Sequence, residues 1–138
     1  MATIKSFTSL EQSKKLADIL PLESADMHYV LIDTDKNKYS VGLEKYIGIL
    51  PHYPCWSLAA LLNSLPNEIS TGERYCDKYQ IDIRKYDGGD NATFYQIAYG
   101  NNRGLSGSWH DMINTSEKEF AVDACVDIIE KLYELNML

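Results

Sequence analysis

The sequence predicts an α+β fold in which three helices pack on a small antiparallel sheet, in the order α-ββ-α-ββ-α. Two pairs of strand-like segments, within residues 27–43 and 79–99, each surround a polar turn. Three other segments carry apolar residues at helical spacing. Because the strands come in adjacent pairs, parallel βαβ units are not expected. The length of 138 residues predicts a single globular domain over residues 1–138.

The first helix is predicted to begin at Thr8, because Thr8 and Glu11 have the spacing of a capping box. Small and apolar residues then recur on one narrow face: Leu10, Ser13, Leu16, Ala17 and Leu20. Pro21 has no amide hydrogen to donate and is predicted to end this helix. The segments Met27–Ile32 and Tyr39–Leu43 are rich in β-forming residues and predict a hairpin around a polar turn.

The central segment from Cys55 to Pro66 predicts a short helix that is apolar on most of its faces. Only Ser57, Asn63 and Ser64 are polar before the closing proline. A helix of this composition is typically buried, and this one is too short to cross a bilayer. We therefore expect the core to form around this segment and its tryptophan, Trp56.

The second hairpin is predicted from the alternation of apolar and polar residues in Tyr79–Tyr86, followed by a strand over Thr93–Tyr99. Residues 87–91 between them tolerate positive φ angles, as a tight turn requires. Residues 100–115 are rich in glycine, asparagine and serine and predict a long surface loop, with a functional loop as the alternative.

The last helix is predicted over Glu117–Leu135, after a second capping-box pair formed by Ser116 and Glu119. One half of this helix is apolar and comprises Phe120, Ala121, Ala124, Cys125, Ile128, Ile129, Leu132 and Leu135. The opposite face carries five acidic residues, Glu119, Asp123, Asp127, Glu130 and Glu134. These residues are either a solvated helix surface or a binding surface for a basic partner, with mimicry of nucleic-acid phosphates as one form of the second hypothesis.

The composition limits the classes of function. The formal net charge is −7, and residues 71–138 carry 12 acidic against 7 basic side chains. This balance argues against direct nucleic-acid binding and against an anionic membrane surface. The N-terminal residues lack the apolar core of a signal peptide, and the three widely spaced cysteines do not form a disulfide framework. We expect a cytoplasmic protein with no membrane contact.

Cys55 is the one candidate nucleophile, because a helix N-terminus lowers the pKa of a thiol. His52 and His110 are its candidate bases, which gives a cysteine-dependent hydrolase as an alternative function. The sequence before Cys55 does not match the papain-type motif, however, so a buried structural thiol is the favoured interpretation.

The chain also contains residues of the types that bind zinc. His52 and Cys55 have a His-x-x-Cys spacing, and Cys76 and His110 are two further candidate ligands. Structural zinc sites have a short ligand spacing at both ends, and this sequence has it at one end only. We therefore predict no metal ion and no other cofactor.

Three segments resemble a group of uncharacterised small proteins that look like products of prophages and mobile elements in gut anaerobes. They are Leu20–Met27, Pro54–Leu62 and Val122–Val126 with the helix that contains it. The resemblance implies a cytoplasmic accessory role, and no activity, cofactor or catalytic residue comes with it.

Together these patterns predict a non-enzymatic interaction protein that binds an unknown, basic partner protein. Its acidic helix face and a surface rich in tyrosine are the expected contacts, since tyrosine suits interfaces as well as half-buried sheets. Most of the ten tyrosines are expected to lie in the sheet. An oligomeric structural module is a further alternative, so a homo-oligomer stays open.

Overall fold

The computed structural model describes residues 4–42, 52–74, 77–90, 92–102 and 107–138. The chain divides into two compact units, residues 1–64 and residues 65–138. The first unit contains α1 (Leu10–Ala17), a 3-10 turn (Leu22–Ser24), β1 (Met27–Asp33), β2 (Lys38–Gly42), β3 (His52–Cys55) and α2 (Leu58–Ser64). The second contains β4 (Glu68–Ser70), β5 (Lys78–Gly89), β6 (Ala92–Asn101), β7 (His110–Asn114) and α3 (Ala121–Glu134).

The α+β class is confirmed, but the single small sheet is not. The strands form two antiparallel sheets, with the orders β2-β1-β3 and β4-β5-β6-β7. Both predicted hairpins are present as β1–β2 and β5–β6. The strands β3, β4 and β7 were not predicted, so the order α-ββ-α-ββ-α is also wrong. Whether residues 1–138 behave as a single domain stays a prediction.

The first helix begins at Leu10, and its capping residue is Ser9 rather than Thr8, because the capping box uses a different pair. The Ser9 hydroxyl accepts from the Gln12 amide at 3.2 Å, and the Gln12 side chain accepts from the Ser9 amide at 3.0 Å. Thr8 is instead fully buried, and its hydroxyl lies 2.8 Å from the Ser13 hydroxyl. Both pairs have the spacing of a capping box, so the burial of Thr8 decides between them.

The first sheet places Cys55 and Trp56 before the second helix rather than inside it. Cys55 ends β3, where it pairs with Met27 of β1. The helix begins only at Leu58, because the Ser57 hydroxyl accepts from the amide of Ala60 at 3.2 Å. A hydroxyl in this position caps a helix start. The prediction that Cys55 lies at a helix start is therefore wrong.

The α2 helix is also less buried than its composition predicts. Ala60 and Leu61 are buried, and so is Leu65 just after the helix. Leu62 is 37% exposed, and Ala59 and Asn63 are exposed as well. Trp56 is 0% exposed, and its indole Nε1 donates to the Ser24 hydroxyl at 2.9 Å. The burial that the sequence predicts for this segment is therefore strongest at Trp56 and on one side of α2.

The predicted loop over residues 100–115 contains a strand within its described part. β7 pairs with β6 through Ala98↔Asn114 and Tyr99↔Ile113. Gly100 of β6 allows this approach, because a Cβ atom there would lie 2.8 Å from ring atoms of Trp109. The β5–β6 turn behaves as predicted, with positive φ angles at Gly89 and Asp90.

The last helix begins at Ala121 rather than at Glu117, and no side chain caps it. The backbone of Lys118 exchanges two hydrogen bonds with Tyr95 of β6, at 2.7 and 2.9 Å. This bridge keeps the preceding residues out of the helix, so the predicted capping box of Ser116 and Glu119 does not cap α3. The predicted apolar half is confirmed in part, because Ala124, Cys125, Ile128, Ile129 and Leu132 are buried. Val122 and Val126 are also buried although they were not predicted, and Leu135 is 50% exposed. Within the described residues, no helix has the length and apolar character that a bilayer crossing requires.

Candidate functional site

The Cys55 thiol is buried in the first unit beside polar groups of Thr8. Cys55 is 0% exposed, and its Sγ atom lies 3.6 Å from both the hydroxyl and the carbonyl oxygen of Thr8. Burial raises the pKa of the Cys55 thiol, and hydrogen bonds from Thr8 and Ser13 offset this only in part. A thiolate nucleophile needs an accessible sulfur and a lowered pKa, and Cys55 has neither property.

The candidate base His52 does not face this thiol. His52 and Cys55 are three residues apart in β3, and side chains alternate between the two faces of a strand. The His52 ring instead lies beside His28 of β1, with 5.9 Å between the ring centroids. His110 is an exposed residue at the start of β7 in the second unit. The structure therefore does not bring Cys55 and His52 together as a catalytic pair or as a zinc-binding pair.

The other zinc-ligand candidates add no site in the described part of the chain. Cys76 lies outside the described residues. Across the ranges that the structure describes, no group of three or more His, Cys, Asp or Glu side chains is arranged to hold a metal ion.

The acidic residues of α3 form a ridge opposite its buried side. Asp123, Asp127, Glu130 and Glu134 fall within about 60° of the helical wheel, on the side away from the apolar half. We call these four residues the acidic face. Glu119 lies before the helix and is not on this face, which corrects the prediction of a five-residue stripe.

Lys131 contacts the acidic face. Lys131 Nζ lies 3.7 Å from the Asp127 carboxylate and donates to the carbonyl oxygen of Asn114 at 2.7 Å. Carboxylates four residues apart destabilise a helix by about 0.2–0.5 kcal/mol for each pair. The negative end of the helix dipole disfavours Glu130 and Glu134 further, because both lie near the C-terminus of α3. Both effects oppose the stability of α3.

A polar network that sequence reasoning missed lies on the second sheet, on the face opposite to Ile97 and Tyr99. Arg84 Nη1 donates to Asp111 Oδ2 at 2.9 Å, and Nη2 donates to Oδ1 of the same carboxylate. Arg84 Nε donates to the Asp82 carboxylate at 2.7 Å. The guanidinium thus connects β5 to β7 by a two-pronged ion pair, which is the strong geometry for an arginine and a carboxylate.

The surroundings of Asp111 complete its hydrogen bonding. Its carboxylate also accepts from Trp109 Nε1 at 2.7 Å and from Asn114 Nδ2 at 3.3 Å. The side chains of Arg84 and Asp111 are only 21% and 22% exposed. The hydrogen bond from Arg84 is the largest effect that lowers the pKa of Asp111 to about 2, and the same contact raises the pKa of Arg84. Such a carboxylate is a poor base at neutral pH, so the network acts as a structural clamp.

The alternation of Asp82, Arg84 and Tyr86 in β5 was a visible signal for one side of this network. The sequence did not indicate Asp111 as the partner of Arg84, because Asp111 lay in the predicted loop. Trp109 and Tyr86 flank the network with 38% and 37% of their surfaces exposed.

The described tyrosines of the middle region lie in strands, as the sequence predicts. They are Tyr29, Tyr39, Tyr53, Tyr79, Tyr86, Tyr95 and Tyr99. Tyr86 and Tyr133 expose more than a third of their surface, while Tyr99 is fully buried. Tyr46 and Tyr75 lie outside the described residues.

Comparisons with protein-family models, with curated proteins and with solved structures found no match to this chain.

Proposed function

We propose that this chain is a small non-enzymatic interaction protein that binds a basic partner protein through the acidic face of α3. The arrangement of Asp123, Asp127, Glu130 and Glu134 on one side of the helix carries this proposal. A partner that supplies lysine or arginine side chains would offset the repulsion among these carboxylates. The accessory role in a prophage or mobile element and the cytoplasmic location stay predictions.

The cysteine-hydrolase alternative gains no support from the geometry around Cys55. The sulfur is buried and its pKa is raised, and the nearest candidate base in sequence, His52, projects from the other face of β3. A homo-oligomeric module stays a prediction that sedimentation would test.

Replacing the acidic face by amides is expected to abolish partner capture while α3 stays folded. The variant carries Asp123→Asn, Asp127→Asn, Glu130→Gln and Glu134→Gln, which changes the formal net charge from −7 to −3. Removal of like-charge pairs offsets the loss of the contact between Asp127 and Lys131, so we expect a free energy of unfolding within about 0.5 kcal/mol of the wild type. The measurement is capture from a lysate of the source organism, with a urea titration of each protein.

A matched control removes the same charge from exposed positions elsewhere: Glu23→Gln, Asp35→Asn, Glu68→Gln and Asp90→Asn. We expect this control to retain every partner that the wild type captures. Equal capture by all three proteins would contradict the proposal. Equal loss in both variants would show that bulk charge, and not the acidic face, determines binding.

A further inference from the structure

His28 and His52 are two metal-ligating side chains that lie next to each other on the first sheet. They lie on adjacent antiparallel strands, β1 and β3, where His52 pairs with Val30 and His28 pairs with Pro54. This register puts both imidazoles on one face of the sheet, as diagonal neighbours. The other face carries Tyr29, Tyr53 and Cys55, and α1 packs there, with Lys14 over the Tyr53 ring. The two imidazoles therefore stand on the side away from α1.

The spacing of the two rings fits a shared metal ion. The ring centroids are 5.9 Å apart, and the ring planes are tilted by 52°. An imidazole nitrogen ligates zinc at about 2.0–2.1 Å, which places the ion roughly 3.2 Å from each ring centroid. The centroids of two rings that bind one ion are therefore at most about 6.4 Å apart. The distance is shorter when the angle between the two ligands at the ion is smaller. The observed separation lies inside this limit.

We propose that His28 and His52 chelate one divalent transition-metal ion across β1 and β3. Imidazole suits Zn²⁺, Ni²⁺ and Cu²⁺, whereas Mg²⁺ and Ca²⁺ require oxygen ligands. His52 is exposed and His28 is half-buried, so the ion would enter from the side of His52, with water as a further ligand. The net charge of −7 favours the approach of a cation. The ion connects two strands through ligands that are 24 residues apart in the chain, and this role is independent of the acidic face.

Zinc titration of the purified full chain tests this site, with calorimetry for affinity and imidazole ¹H–¹⁵N spectra for the ligands. We expect one Zn²⁺ ion to shift the resonances of His28 and His52 and to leave those of His110 unchanged. The variant His52→Asn changes an exposed side chain and should lower zinc affinity at least roughly tenfold. His28→Asn should do the same, and His110→Asn is the matched control with wild-type affinity. Ca²⁺ should produce no shift.

Three results would overturn the proposal. The first is zinc affinity in His52→Asn equal to that of the wild type. The second is a zinc-dependent shift confined to His110, and the third is no shift of either His28 or His52 at millimolar zinc. Because His52→Asn and His110→Asn both change exposed residues, their comparison does not depend on a destabilised fold.

Discussion

Trp56→Ala is expected to be among the most destabilising single substitutions in the first unit, costing about 3–5 kcal/mol of the free energy of unfolding. Trp56 is 0% exposed, so its removal leaves a cavity. Its indole also donates to Ser24, and its backbone amide and carbonyl bond the hydroxyl and amide of Thr8. The backbone bonds survive the substitution, and the indole bond does not. Small domains are stable by only about 5–15 kcal/mol, so the loss is a large fraction of the total.

Urea unfolding followed by circular dichroism measures this effect, and Trp109→Ala is the matched control. Trp109 is 38% exposed, so less apolar surface and fewer contacts are lost there. We expect Trp109→Ala to be clearly less destabilising than Trp56→Ala. A smaller effect at Trp56 than at Trp109 would show that the Trp56 side chain is not the packed centre described here.

Acid is expected to remove the stabilisation that the Arg84–Asp111 ion pair provides. The pKa of Asp111 in the folded chain is about 2, below the ordinary value of 3.8. Because the pKa of Asp111 is lower in the folded than in the unfolded chain, the ionised carboxylate stabilises the fold at pH values above the unfolded pKa. This stabilisation is lost as the pH falls from about 4 to about 2. The size of the shift corresponds to about 2 kcal/mol at neutral pH. Both side chains are mostly buried, so solvent screens this pair less than a surface pair.

Asp111→Asn should therefore lose stability at neutral pH and show a flatter dependence of stability on pH below 4. The measurement is a series of urea titrations between about pH 2 and pH 7, below and above the pKa values concerned. Asp82→Asn is the matched control, because Asp82 also bonds Arg84 but is 41% exposed. We expect a smaller loss from this control. The same pH dependence in Asp111→Asn and the wild type would contradict the stabilising role of the Arg84–Asp111 ion pair.

Local patterns were sufficient where apolar residues repeat regularly along an element. The alternation in Tyr79–Tyr86 predicted β5, and the apolar half of the last helix predicted five of the seven buried residues of α3. Local patterns failed at element ends, where tertiary contacts select among equivalent signals. Thr8 and Ser9 both begin capping-box sequences, and the burial of Thr8 leaves the cap to Ser9.

Contacts between distant segments account for the other differences. β7 has weak strand propensity, and it forms because β6 offers an edge for pairing. Arg84 and Asp111 are 27 residues apart, so their ion pair requires the register of three strands. For the same reason the sequence alone did not pair His28 with His52. The acidic face was predictable because four of its five proposed residues repeat at helical spacing within α3.

The central claim is that the segment around Cys55 and Trp56 packs the first unit and is not a catalytic site. Alkylation of the native chain by iodoacetamide near neutral pH, read for each cysteine by peptide mass spectrometry, tests it most directly. Cys125 is an internal reference, because it is buried and its pKa is raised to about 12. The structure predicts that Cys55 stays as unreactive as Cys125 until urea unfolds the chain. Rapid modification of Cys55 in the native chain, with Cys125 still protected, would contradict the claim.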